Sequence, residues 1–158
     1  MFKINDYVVY KKDVCKVSDI KEYGGKKYYA LTPVEDASLK INVPVDNELV
    51  RPTLSKKEAL NVIDLIKSVK VIKIDNEKNI EEEYKSLLKT GKYDDLISII
   101  KTTYLRNQTR IMEKKKISEV DQRYFELAEN KLYDELAIPL EMTKEEVKDY
   151  IFNKLDKR

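Results

Sequence analysis

The sequence predicts an α+β protein, with a small bent β-sheet or barrel over residues 1–52 and a compact domain of about five α-helices over residues 53–158. Short β-branched segments dominate the first part, and a Gly-Gly pair separates two of them. Two capping boxes and apolar residues at helical spacing mark the second part. Because the pattern changes at Arg51–Leu54, we place the domain boundary there.

The first domain reads as about five short strands joined by tight turns. Val8–Tyr10 and Val14–Ile20 are β-branched, Gly24-Gly25 is typical of a hairpin turn, and Lys27–Leu31 resumes the strand. Leu39–Pro44 alternates polar and apolar residues, and Pro44 ends this strand or places it at a sheet edge. Such a small sheet exposes strand edges, which can pair with another chain.

The second domain reads as helices with marked ends. The capping box Ser55–Glu58 begins the first helix, and Thr143–Glu146 begins the last. Between them we expect helices over about Glu77–Thr90, closed by Gly91, over Tyr93–Lys115, and over Ser118–Ala137, stopped by Pro139. The predicted buried positions of the last two include Ile111 and Leu127.

The composition excludes several kinds of active site. The chain has no histidine and one cysteine, so zinc sites of those ligands and Ser–His or Cys–His triads are ruled out. The acids fall in runs such as Glu81–Glu83, which are typical of a solvated helix surface. We therefore predict no catalytic residue, no metal and no cofactor, and we expect a protein that is not an enzyme.

Composition also bears on location and partners. No window approaches 18 consecutive apolar residues and the N-terminus does not resemble a signal peptide, so we expect no membrane partner. The single Cys15 favours a reducing, cytoplasmic location and is expected to be a small buried apolar residue.

A local excess of basic residues lies between residues 101 and 123. This stretch holds seven basic and three acidic residues, a balance of +4 in a chain whose net charge is +2. Such a patch can bind phosphates without reading sequence. The alternative is a solvated helix end whose lysines suit the helix dipole.

Four segments, in this order, resemble the CarD/CdnL family of bacterial transcription regulators. They are "FKINDYVVYKKDVCKVSDI", "LKINVPVDN", "EEYKSLLKTGKYDDLISIIKTTYLRNQ" and "ENKLYDELA". The resemblance implies a Tudor-like N-terminal domain that docks on the β subunit of RNA polymerase. It also implies a helical domain beside promoter DNA at the upstream fork, where it changes the stability of the open complex. No small-molecule ligand is evident.

The resemblance implies a polymerase-binding strand formed by Lys40, Ile41, Asn42 and Val43. Lys40 and Asn42 are two residues apart, so they share one face of a strand. Many relatives carry Arg at the position of Asn42, which here loses a charge-assisted contact. The alternative is that both side chains only form the solvated face of a half-buried strand.

The DNA-binding features of the family are only partly present. The Trp wedge of relatives falls on Ile80 and the two Arg positions fall on Glu82 and Glu83, whereas Lys85 keeps a basic position. Ile80 is either an apolar wedge or a residue that packs the helix entry. With the basic patch, the candidate DNA contacts are Ile80, Lys85, Lys89, Arg106, Arg110 and Lys114.

Two functions follow as hypotheses. The first is a regulator that binds polymerase and promoter DNA, which the basic patch favours. The second is an adaptor that binds polymerase or another protein without touching DNA, which the acidic helix start and the missing Trp favour.

Overall fold

In a computed structural model, which describes residues 1–74 and 76–156 (without the side chains of residues 155 and 156), a five-stranded sheet precedes five α-helices. The strands are β1 Tyr7–Tyr10, β2 Asp13–Tyr23, β3 Lys26–Pro33, β4 Ile41–Pro44 and β5 Val50–Pro52. The helices are α1 Lys56–Ser68, α2 Ile80–Thr90, α3 Tyr93–Met112, α4 Glu119–Leu140 and α5 Lys144–Asp156, with a 3₁₀ turn at Glu77–Asn79 before α2. The predicted α+β fold class is confirmed.

The strands form one antiparallel sheet in the order β4-β3-β2-β1-β5, so β4 and β5 are its edges. Gly24 and Gly25 make the two-residue turn between β2 and β3, with φ of 57° and 80°, values that glycine adopts without strain. A register shift between Val17 and Asp19 introduces a bulge that bends β2. The bent sheet folds over its own apolar core, whose buried members are Val8, Cys15, Val17, Tyr29, Leu31 and Val43.

The helices enclose a second core. Both predicted capping boxes are formed, and Ser55 accepts from the Glu58 amide while Thr143 accepts from the Glu146 amide. The predicted burial of Ile111 and Leu127 is wrong, because 54% and 42% of these residues are exposed. Asn107 contacts Ser118 at the start of α4, so Ile111 extends about one turn beyond its neighbouring helix.

Some predicted ends differ from those in the structure. β4 begins at Ile41 rather than Leu39, and α3 ends at Met112 rather than Lys115. Pro139 does not stop α4 at Ala137, but it lies in the last turn of the helix, where its missing N–H removes one hydrogen bond. The helix ends one residue later, at Leu140, and its C-cap Glu141 adopts a left-handed φ of 54°.

Cys15 is completely buried, as predicted for a small apolar residue. Burial, together with the nearby Asp13 carboxylate, raises the pKa of its thiol to about 11. The thiol is therefore protonated near neutral pH, and Cys15 has the character of an inert core residue. Among the described residues, no helix is long and apolar enough to cross a membrane.

Candidate binding surfaces

The β4 strand is an edge of the sheet, and within the described residues it pairs only with β3. Asn42 is exposed on this strand, and Lys40 is exposed just before it. Val43 is buried in the β-domain core and Ile41 packs against that core. The four predicted polymerase-binding residues therefore divide into an exposed polar pair and an inward apolar pair.

The register of β4 determines which backbone groups reach its open side. Val45 donates its amide to the carbonyl of Lys27 at 3.1 Å, and Ala30 lies opposite Asn42. Because hydrogen-bonded and non-hydrogen-bonded pairs alternate in an antiparallel ladder, the Ala30–Asn42 pair is of the second kind. The N–H and C=O of Asn42 therefore point away from β3, toward the open edge.

Ile80 is not presented as a wedge. It is 8% exposed and packs in the helical core at the first position of α2. An apolar wedge must be exposed before it can press on a base pair. The placement of Ile80 therefore agrees with the packing role that the sequence left open.

Lys85 and Lys89 lie on the exposed side of α2. The ammonium of Lys85 is 4.0 Å from Glu81 and 3.9 Å from Glu82, and half of its side chain is exposed. Exposed pairs of this kind are weak, so Lys85 can exchange them for a phosphate. Lys89 lies at the C-terminal end of α2, beside the start of α3.

Arg106 belongs to an internal ion network instead of an open surface. Its guanidinium donates to Asp121 at 2.9 Å and to Glu77 at 2.8 Å, and only 23% of its side chain is exposed. The fully buried Tyr84 donates its hydroxyl to Asp121 at 2.7 Å. Burial, reinforced by this bond to Asp121, raises the pKa of Tyr84 well above its usual range. Arg106 therefore holds α3 to α4 and to the entry of α2.

The turn between α3 and α4 carries three exposed lysines of the predicted patch and the half-buried Arg110. We call residues 110–117 the basic turn; its cations are Arg110, Lys114, Lys115 and Lys116. Lys115 lies 2.9 Å from Glu113. Three apolar side chains of the same turn are also exposed: Ile111 at 54%, Met112 at 83% and Ile117 at 43%. The sequence does not predict that these apolar side chains are exposed; only the neighbouring lysine run indicates a solvated segment.

The basic turn is held rigidly. Lys114 adopts a left-handed φ of 59°, and the amides of Lys114 and Lys115 donate to the carbonyls of Ile111 and Arg110, which is a Schellman ending. The buried Asn107 amide clamps the backbone of Ser118, accepting from its N–H at 2.8 Å. The cations of the turn are thus displayed on a fixed backbone.

The six predicted DNA-contact residues do not form one surface. α3 has 20 residues and therefore extends about 30 Å. Lys89 lies near its first residue, whereas Arg110 and Lys114 lie at its far end. The structure groups Arg110 with Lys114 and separates them from Lys89, while Ile80 and Arg106 are internal.

The two domains are joined by polar contacts on the sheet face opposite the β-domain core. Arg51 of β5 donates to Glu135 of α4 at 2.9 Å, and Tyr93 donates to the same carboxylate at 2.7 Å. Glu135 is only 4% exposed, so its charge is balanced where it is buried. Lys12 donates to the last carbonyls of α2, at Leu88 and Lys89. These contacts fix the position of β4 relative to the helices.

A second contact between the domains contains two carboxylates and one lysine. Lys144 bridges Glu35 of the β3–β4 loop and Asp134 of α4, with 2.7 Å to Asp134. Burial, with the neighbouring Glu35 carboxyl, raises the pKa of Asp134 to about 7. The hydrogen bonds from Asp134 and Lys144 lower the pKa of the more exposed Glu35.

The contribution of Asp134 to the free energy of unfolding is expected to fall as the pH rises from about 4 to about 7. Unfolded Asp134 loses its proton near pH 4, whereas folded Asp134 keeps it up to about pH 7, so the folded state binds more protons over that range. Asp134→Asn removes this titration. We expect the variant to gain about 1 kcal/mol or more relative to the wild type between pH 5 and pH 8, measured by urea unfolding. Asp149→Asn, at an exposed position of α5, serves as the control for removing one carboxylate. If the free energy of unfolding of Asp134→Asn depends on pH in the same way as that of the wild type, the assignment is contradicted.

Residues 2–54 match the model of the CarD-like/TRCF RID domain family. These residues contain all five strands and the open β4 edge. The β-domain is therefore similar to the CarD-like/TRCF RID domains. No curated protein matches the chain at a significant level.

The match to the RID domain family bears on the β4 edge, which is one of the two candidate binding surfaces. It confirms the predicted resemblance to the CarD-like family for residues 2–54, and it indicates a transcription-related protein that interacts with RNA polymerase. The match ends at Leu54, just before α1, so it does not extend to the helical domain or the basic turn. The roles of the individual residues in β4 and in the basic turn stay predictions.

Proposed function

We propose that this protein modulates the stability of the promoter open complex, without catalysis, by docking on the β subunit of RNA polymerase and holding the basic turn against promoter DNA. The match of residues 2–54 to the RID domain family carries the proposal, because it supplies the polymerase partner. The open β4 edge supports strand addition to a sheet on that subunit, with main-chain hydrogen bonds giving affinity.

The basic turn is the best-supported DNA contact of the helical domain. Its three lysines are exposed and Arg110 is half-buried beside them, whereas Arg106 is used internally and Ile80 is buried. Phosphate contacts would position the protein without reading sequence. A contact that forms only with melted DNA would shift the closed–open equilibrium toward the open state.

The adaptor function is the second candidate, and the start of α2 favours it. Glu82 and Glu83 are exposed there and would repel phosphate. If this helix faces the promoter, DNA contact is weak and the protein acts through polymerase alone.

Open-complex lifetime separates the two functions. The full chain is added to polymerase holoenzyme on a promoter, and decay is followed after a heparin challenge at several salt concentrations. We expect a change in lifetime of about fivefold or more, which Arg110→Gln with Lys114→Gln and Lys116→Gln largely removes while polymerase capture persists. In a plot of the logarithm of open-complex lifetime against the logarithm of salt concentration, the slope for this variant should be shallower than that for the wild type by about two to three units.

The matched control is Lys57→Gln with Lys67→Gln and Lys78→Gln, which removes the same charge from exposed positions elsewhere. It should behave as the wild type. A basic-turn variant that retains the full effect on lifetime would reject the DNA contact and favour the adaptor.

A further inference from the structure

A cleft of about 310 Å³ lies between the two domains, and cationic side chains from both line it. The β-domain contributes Lys11, Lys12 and Arg51, and the helical domain contributes Lys92 and Lys131. Glu135 is the acid of this lining. The volume is within the range of small-molecule sites, which often lie at domain interfaces.

Two of the cations and the acid are already satisfied. Arg51 is paired with Glu135 at 2.9 Å, and Lys12 donates to the carbonyls that end α2. Glu135 accepts a second hydrogen bond, from Tyr93. The charge of Glu135 is therefore already used, and it does little to neutralise the remaining cations of the cleft.

Three lysines of the lining remain, of which Lys131 also interacts with the Glu35 carboxylate and helps to lower its pKa. Among the described residues, Lys11, Lys92 and Lys131 form no salt bridge; Lys11 only lies 5.4 Å from the ring of Tyr10. Like charges around one cleft repel each other, and an anion with several charges would relieve that repulsion. α3 also begins at this cleft, and Lys92, its N-cap, makes no side-chain capping bond. The positive end of the helix adds to the potential of the lysines, although Asp94 and Asp95 in the first turn of α3 offset part of it.

We propose that the cleft binds a polyphosphate chain of two or three phosphates through Lys11, Lys92 and Lys131. The ligand would strengthen the contact between the domains, because Lys11 belongs to the β-domain and the other two lysines to the helical domain. Charge-assisted hydrogen bonds to phosphate oxygens supply the affinity. This site is independent of the β4 edge and of the basic turn.

Calorimetric titration of the full chain with inorganic tripolyphosphate, at constant ionic strength and without divalent cations, tests the site. We expect saturable binding of one ligand per chain and an increase in the thermal unfolding temperature. Lys92→Gln with Lys131→Gln should weaken binding about tenfold or more. Lys12 and Arg51 are left unchanged because they hold the domains together.

The control is Lys57→Gln with Lys78→Gln, which removes the same charge from exposed positions away from the cleft and should change the affinity less than about twofold. Equal weakening by both pairs, or binding that does not saturate, would overturn the proposal. A short duplex DNA forms a second arm. If the two cleft lysines are required for duplex binding while tripolyphosphate does not bind, the cleft is a nucleic-acid contact and the small-ligand proposal is rejected.

Discussion

Replacing Asp121 by alanine is expected to reduce the free energy of unfolding by about 3 kcal/mol or more. Asp121 is 1% exposed and accepts hydrogen bonds from Arg106 at 2.9 Å and from Tyr84 at 2.7 Å. Alanine leaves a buried hydroxyl without an acceptor and a largely buried guanidinium without its inner partner. Urea unfolding followed by far-UV circular dichroism at neutral pH measures the loss.

Two variants identify the cause of that loss. Asp121→Asn keeps an acceptor oxygen but removes the charge, so an intermediate loss is expected. Glu119→Ala removes an exposed acid from the same first turn of α4 and should cost less than about 1 kcal/mol. A loss from Asp121→Ala no larger than that from Glu119→Ala would show that the network contributes little.

The network around Asp121 shows which features of the helical domain could be predicted from the sequence and which could not. Local signals were sufficient for the helices, because the partners in a capping box such as Ser55–Glu58 are three residues apart. Arg106 instead pairs with Asp121 and Glu77, which are 15 and 29 residues away. Its pattern alone is that of an exposed cation near a helix end. Only the folded structure distinguishes the internally paired Arg106 from Arg110.

The β-domain was more predictable because its alternation has a period of two. That period correctly predicted that Lys40 and Asn42 share one face, and both are exposed. It could not reveal which backbone groups face the open edge, since this depends on the register with β3. The contacts of Arg51 with Glu135 and of Lys12 with α2 were also invisible, because each joins residues of different domains.

Asn42→Pro is expected to reduce capture of RNA polymerase by about tenfold or more without unfolding the β-domain. Proline removes the Asn42 N–H and adds bulk at the open edge. The Ala30–Asn42 pair exchanges no ladder hydrogen bonds, so β4 keeps its pairing with β3, and edge strands tolerate proline at such positions. The measurement is retention of purified polymerase on the immobilised full chain at moderate ionic strength.

The comparison with Asn42→Ala decides what the edge contributes. Alanine keeps the backbone N–H and removes only the side chain, so strand addition predicts near-normal capture by this variant and poor capture by Asn42→Pro. Docking through side chains instead predicts that Asn42→Ala and Lys40→Glu each weaken capture as strongly as Asn42→Pro does. If all three variants retain polymerase as the wild type does, with unchanged circular dichroism, β4 is not the docking strand. The polymerase contact of the RID domain would then have to lie on another part of the sheet.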